Sequence, residues 1–155
     1  MKYRKLTKQE LESLRDEFVK FLIVQGIDAP QWEEILLTYP KKADGFIELF
    51  SDFIFETIVQ KVKYLEKHES DNIKLYKCDE NIIRLLGIEC DQSFNTSEDF
   101  FQEMKTSAES FRTFRAAKAY SPDRESEIFR MIQTGSVITK GELYESFMLA
   151  QELQP

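Results

Sequence analysis

The sequence predicts an α+β fold, mostly helical, laid out as three helices, a β-hairpin and three further helices. Apolar residues recur at helical spacing along most of the chain. One short run, residues 73–78, alternates instead and is followed by a turn and a second β-rich run, which is the pattern of a hairpin. Three helix starts also carry the same capping signature.

The first signature is Thr7 with Glu10, flanked by Leu6 and Leu11. A hydroxyl and a carboxylate at this spacing satisfy N–H groups that have no partner inside the helix. Leu11, Leu14, Phe18, Phe21 and Leu22 continue the period, and Gly26 closes the helix. Asp28 with Gln31, between Ile27 and Trp32, opens a short second helix that stops before Pro40. Residues 43–67 read as one long helix with Phe46, Leu49, Phe50, Phe53, Ile54, Ile58, Val62 and Leu65 on a wide apolar face. Acids come early in it and lysines late, which suits the helix dipole. Phe53 is expected in the core.

The hairpin pairs 73–78 with 82–90 around Asp79-Glu80-Asn81, with Gly87 as a candidate bulge. Thr96 or Ser97 caps a helix carrying Phe100, Met104, Ala108, Phe111 and Phe114; it either runs to Ala119 or breaks near Ser107. Ser121-Pro122 starts another, ending at Gly135. After an extended Ser136–Ile138, the third signature, Thr139 with Glu142, opens the last helix.

At 155 residues the chain is expected to form a single domain, 1–155, with a core large enough to need no metal or disulfide. The net charge of −7 disfavours partners bound by phosphate attraction. Charge is unevenly placed: Lys2, Arg4, Lys5 and Lys8 crowd the start, and Glu89, Asp91, Glu98, Asp99 and Glu103 fill 85–104 without a base. The polar start has no signal-peptide pattern and the longest apolar stretch is too charged to span a bilayer, so a cytoplasmic location and no membrane partner are expected. Cys78 and Cys90 then read as free, buried thiols, since the hairpin register holds them apart.

Candidate chemistry is sparse. His68 is the sole histidine, and a ligand set needs several groups converging, so it reads as a solvated side chain at a helix end. Gly135-Ser-Val-Ile-Thr-Lys-Gly141 lacks the order of a phosphate loop, although Lys140 beside a helix start suits an anion. Arg112, Arg115 and Lys118 recur every three residues, with Arg124 just beyond; on a helix the first three share one side. They either contact RNA or another acidic surface, or pair with the chain's own acids at 85–104. No catalytic residue, metal ligand or cofactor is assigned.

The opening Met-Lys-Tyr-Arg-Lys-Leu-Thr-Lys, the middle Glu-Leu-Phe-Ser-Asp and Lys-Val-Lys-Tyr-Leu-Glu, and the late Val-Ile-Thr-Lys-Gly-Glu-Leu together resemble a family of short bacterial proteins known as a domain of unknown function. The resemblance spans nearly the whole chain. It implies a bacterial cytoplasmic protein and one complete domain, and brings no activity, cofactor or site residue with it. The functional expectation is a non-enzymatic interaction module that binds a protein partner or itself. The alternative is a nucleic-acid or phosphate-ligand binder using Arg112, Arg115, Lys118, Arg124 and Lys140.

Overall fold

A computed structural model describes residues 1–152. Contacts divide the chain into two compact units, Met1–Gln60 and a second beginning at Lys61. The first is helical. It holds α1 (Lys8–Ser13), α2 (Arg15–Val24), α3 (Ala29–Thr38) and α4 (Pro40–Gln60). Both expected capping boxes here are formed, Thr7 with Glu10 and Asp28 with Gln31. The expected first helix is two, because Leu14 departs from helical geometry (φ −105°, ψ 24°) while hydrogen bonds still cross the kink. Gly26 closes α2 with φ 81°, a conformation that costs a side chain least when there is none.

The core of this unit is aromatic. Phe50 is fully buried, with ring centroids 5.0 Å from Phe18 and 5.3 Å from Phe21, and Trp32 meets Phe18 edge-on at 5.1 Å. Phe53, expected in the core, is instead 55% exposed. The N-terminal cations find acids within the unit: Lys2 with Glu56, Arg4 with Glu10, Lys5 with Asp44. Leu6 is buried beside them and donates its N–H to Ser51, whose hydroxyl donates to the Ile47 carbonyl, so a fully buried serine is satisfied on both sides.

The second unit overturns the expected plan of three helices, a hairpin and three helices. The hairpin is the centre of a five-stranded sheet, every pair antiparallel, in the order β4-β3-β2-β1-β5. Its strands are β1 (Tyr64–His68), β2 (Asn72–Cys78), β3 (Ile82–Cys90), β4 (Phe111–Ala119) and β5 (Val137–Thr139). Between them run α5 (Ser97–Thr106), α6 (Arg124–Gln133) and α7 (Glu142–Glu152), with a 3-10 turn at Ala108–Ser110. Two segments expected to be helical are therefore strand. The long helix stops at Gln60 and 64–68 pairs with β2 and β5; residues 111–119 pair with β3 along their whole length.

The expected hairpin register holds, with Cys78 opposite Ile83. Gly87 is not a bulge: it pairs regularly with Lys74 and Phe114, and the Phe114 ring occupies the space a Cβ would need. The third capping box is absent. Thr139 ends β5, its hydroxyl accepting from the Gly141 N–H at 3.2 Å, and α7 begins at Glu142.

Strand alternation gives the sheet two faces. Ile73, Leu75, Leu86, Ile88 and Cys90 face α5 and α7 and pack with Phe100 and Tyr144. The other face presents Leu65, Tyr76, Cys78, Ile83, Leu85 and Ala116, with α6 laid against it through Ile128 and Met131.

Candidate functional site

Two surfaces stand out, one in each unit. In the sheet unit it is β4. This strand is at the edge of the sheet and eight of its nine residues are exposed. An edge strand offers unpaired N–H and C=O groups to another chain. Behind it, on the face that carries α6, three cross-strand rows follow one another: Lys74–Gly87–Phe114, Tyr76–Leu85–Ala116, and Cys78–Ile83–Lys118. The first is filled by the Phe114 ring. The middle row ends in an alanine at the edge, and over it opens a cleft of about 400 Å³. Tyr76, Ile83, Leu85, Ala116 and Met131 give it an apolar floor, and Lys74, Lys118 and Arg130 stand around it.

Glu127 anchors two of those cations, Lys118 and Arg130. It is 1% exposed, forms ion pairs with Lys118 and, at 3.7 Å, with Arg130, and accepts the Ser121 N–H at 2.8 Å. Burial pushes its carboxyl up, but Lys118, the Ser121 N–H and Arg130 outweigh burial and hold it below the usual carboxylate range. With Lys74 unanchored by Glu127, the cleft has one buried negative charge against three positive ones.

The cations singled out in the sequence have different fates. Because 111–119 is a strand, Arg112 and Lys118 lie on one sheet face and Arg115 on the other. Arg112 pairs with Asp91 at 2.9 Å and Glu89 at 3.7 Å, the internal pairing weighed for it above. Arg115 donates to Gln151 of α7. Arg124 is a tie-rod: its guanidinium donates to the carbonyls of Val62, Cys78 and Asp79 and lies over the Tyr120 ring. Lys140 is exposed beside the start of α7. Glu127 was missed, yet it has a signal: it stands four residues before Met131 and so shares that helix side with an apolar residue.

In the helical unit the surface is a groove between α2 and α3 of about 450 Å³. Phe18, Val19, Leu22 and Ile23 line it from α2, and Trp32 and Leu36 from α3. Val19, Ile23 and Leu36 are 45%, 62% and 46% exposed, and Val24 and Leu37 next to them more so. Contiguous apolar groups left in water make this a candidate contact surface. Arg15 stands at one end of the groove, Asp28 at the other.

The model of a family described as "Family of unknown function (DUF6495)" matches residues 1–152. The chain belongs to this family. No curated protein and no solved structure matches the sequence or the fold.

One further cluster in the DUF6495 chain has the outline of a nucleophile with its base. His68 contacts Glu66 through Nε2 at 2.8 Å and Ser97 through Nδ1 at 2.7 Å, and Glu66 is buried. His68 is exposed, as the sequence suggests, but it ends β1 and not a helix, and it has two side-chain partners. Acyl transfer needs donors where negative charge develops. Here Ser97 is followed by the exposed acids Glu98 and Asp99, which oppose that charge. Ser97 and Phe101 are one helical turn apart and both touch His68, so the cluster clamps the first turn of α5 to β1. Among the described residues no cluster of three or more His, Cys, Asp or Glu fits a metal ion, and no helix is long and apolar enough to cross a membrane.

Proposed function

We propose that the chain is a non-enzymatic interaction module that associates with a second copy of itself through the groove between α2 and α3. The observation that supports this is the apolar lining of that groove left in water, Val19, Ile23 and Leu36 above all. Fully covering one such side chain contributes about 1.5–3 kcal/mol, and a half-exposed one proportionately less. A second copy is favoured by the charges of the groove: its lining holds Arg15 together with Asp28 and Glu33, so the surface carries both signs, and a two-fold arrangement that brings Arg15 of each copy to the acids of the other makes it self-complementary. A location in the bacterial cytoplasm belongs to the same reading, since Cys78 and Cys90 are free and buried, as suits a reducing compartment. The nucleic-acid alternative is less well supported: Arg112, Arg115 and Lys118 are split between two sheet faces and Arg124 holds backbone carbonyls.

Sedimentation velocity over a concentration series tests the proposal. The full chain is expected to dimerise, and Ile23→Glu to remain monomeric with an unchanged circular dichroism spectrum. Arg15→Glu should weaken the dimer, and adding Glu33→Arg should restore it. A chain that stays monomeric throughout, or a dimer indifferent to Ile23→Glu, overturns the reading.

A further inference from the structure

We propose that the free edge of β4 receives an extended, acidic peptide segment of another protein, and that the cleft behind Ala116 takes one large apolar side chain from it. This is independent of the groove in the helical unit and rests on three features of the sheet.

The first is the edge itself. β4 is nine residues long, paired on one side only and exposed over nearly its whole length. A strand added there completes the unpaired backbone ladder, which is the main-chain half of strand-addition recognition.

The second is charge, which decides between occupants. An antiparallel pairing of β4 with the same strand of a second copy, centred on Arg115, sets Arg112 opposite Lys118 twice over and Arg115 opposite itself. Like charges directly opposite one another are destabilising. The edge is thus guarded against its own kind. The guard is not neutral toward others. At the Arg112 end, Glu89 and Asp91 already answer the cation. From the middle of the strand toward the other end, Arg115 donates to the neutral Gln151, Lys118 and Arg130 share the single carboxylate of Glu127, and Lys74 adds a third positive charge to the cleft. The positive excess lies along Arg115–Lys118, and a segment carrying carboxylates at that end complements it.

The third is the cleft. In strand addition, alternate side chains of the incoming segment fall on one face, and pockets on that face read them. The row Tyr76–Leu85–Ala116 is the one that reaches the edge with no bulk at its end, since Phe114 closes the row before it and Lys118 stands at the end of the row after it. A residue added opposite Ala116 on this face lies at the mouth of the 400 Å³ cleft, with Leu85, Tyr76 and Met131 beyond. A Leu, Phe or Met fits that floor, flanked by Asp or Glu.

The test is selection of a random peptide library displayed on phage against the immobilised full chain, followed by binding measurements with one synthetic selected peptide. The expected winners are acid-rich, alternating, and carry one large apolar residue at a fixed position. Ala116→Phe, a change at an exposed edge, should weaken the selected peptide at least about tenfold, or roughly 1.4 kcal/mol, and Arg115→Glu should weaken it similarly. A copy of the peptide N-methylated at alternate backbone positions should lose binding if the ladder forms. Amide chemical shifts should move on β4 and in the cleft. Lys118→Glu is avoided, because it would also strip Glu127 of one of its partners. Failure to enrich any peptide, enrichment of neutral or basic sequences, or binding untouched by both Ala116→Phe and N-methylation overturns the proposal. None of these outcomes depends on the groove between α2 and α3, whose Ile23→Glu variant should bind the peptide as the parent does.

Discussion

Glu127 shows how much one side chain does in this chain. It is a carboxylate almost without water, held by Lys118, Arg130 and the Ser121 N–H. Replacing it by glutamine keeps the shape and loses the charge-assisted bonds, so Glu127→Gln is expected to destabilise the chain by about 1–3 kcal/mol in urea unfolding. The pH dependence has a defined sign. A carboxyl held below its unfolded value contributes stability that is complete above that value, about 4.3, and disappears as pH falls through the folded one. Glu10 acts in the same direction: Arg4, helped by the Thr7 N–H, holds it down at about 2. The parent should therefore lose stability progressively below about pH 4.3, and Glu127→Gln should lose less over the same interval because one contributor is already gone. Equal acid sensitivity of parent and variant would show that Glu127 is not held by its partners in the folded state. The basic residues illustrate the converse. Arg112, Arg115 and Lys118 were visible as a periodic triplet, but three-residue spacing has a meaning that depends on the element, and on a strand it splits them between faces.

At the level of elements, several local signals hold where the chain's own neighbours decide the structure, although Ser121-Pro122 does not start a helix: Asp123 caps α6, which begins at Arg124. The capping boxes at Thr7–Glu10 and Asp28–Gln31, the hairpin turn and the Thr96 cap of α5 are all local, and all formed. Misreading came where a distant partner decides. Phe111-Arg-Thr-Phe-Arg-Ala-Ala-Lys-Ala119 has helical spacing of its aromatics and three alanines, the best helix formers, yet it lies along β3. Residues 64–68 carry on the apolar period of α4, and only pairing with β2 and β5 makes them strand. The third capping signature failed for the same reason, since Thr139 pairs with Tyr64. Within α4 the wide apolar face hid which phenylalanine is core. Phe50 is fully buried between Phe18 and Phe21, and Phe53 is 55% exposed. Phe50→Ala is expected to cost about 3–5 kcal/mol and Phe53→Ala less than about 1 kcal/mol. Comparable losses at both positions in denaturant titrations would mean that the apolar face of α4 is buried more evenly than the structure has it.

Across the whole molecule, the two candidate surfaces differ in how far the sequence announced them. The helical groove follows from the periodicity of α2 and α3, whose apolar stripes outnumber what one hairpin of helices can cover. The β4 edge follows from topology, which long-range pairing sets and no single segment contains. The cysteines report on that topology independently of any function. Cys78 and Cys90 face opposite sides of the sheet, from opposite ends of the hairpin, Cys78 paired with Ile83 and Cys90 with Phe111. Both are buried and free, and burial pushes the Cys78 thiol up to about 11. A thiol reacts as the thiolate, so Cys78 is protected twice, by access and by protonation. A disulfide between the two would require the sheet to come apart. The melting temperature should accordingly be the same with and without reductant. An aromatic disulfide reagent should label neither thiol promptly in the native chain and both at once in denaturant. Slow native labelling carries more information. If the sheet opens as one cooperative unit, both thiols become reactive at a common rate that follows global unfolding. If α6 lifts alone from its face, Cys78 reacts first. Mass spectrometry of peptides labelled over time separates these outcomes, and prompt native labelling of either cysteine would contradict the sheet described above.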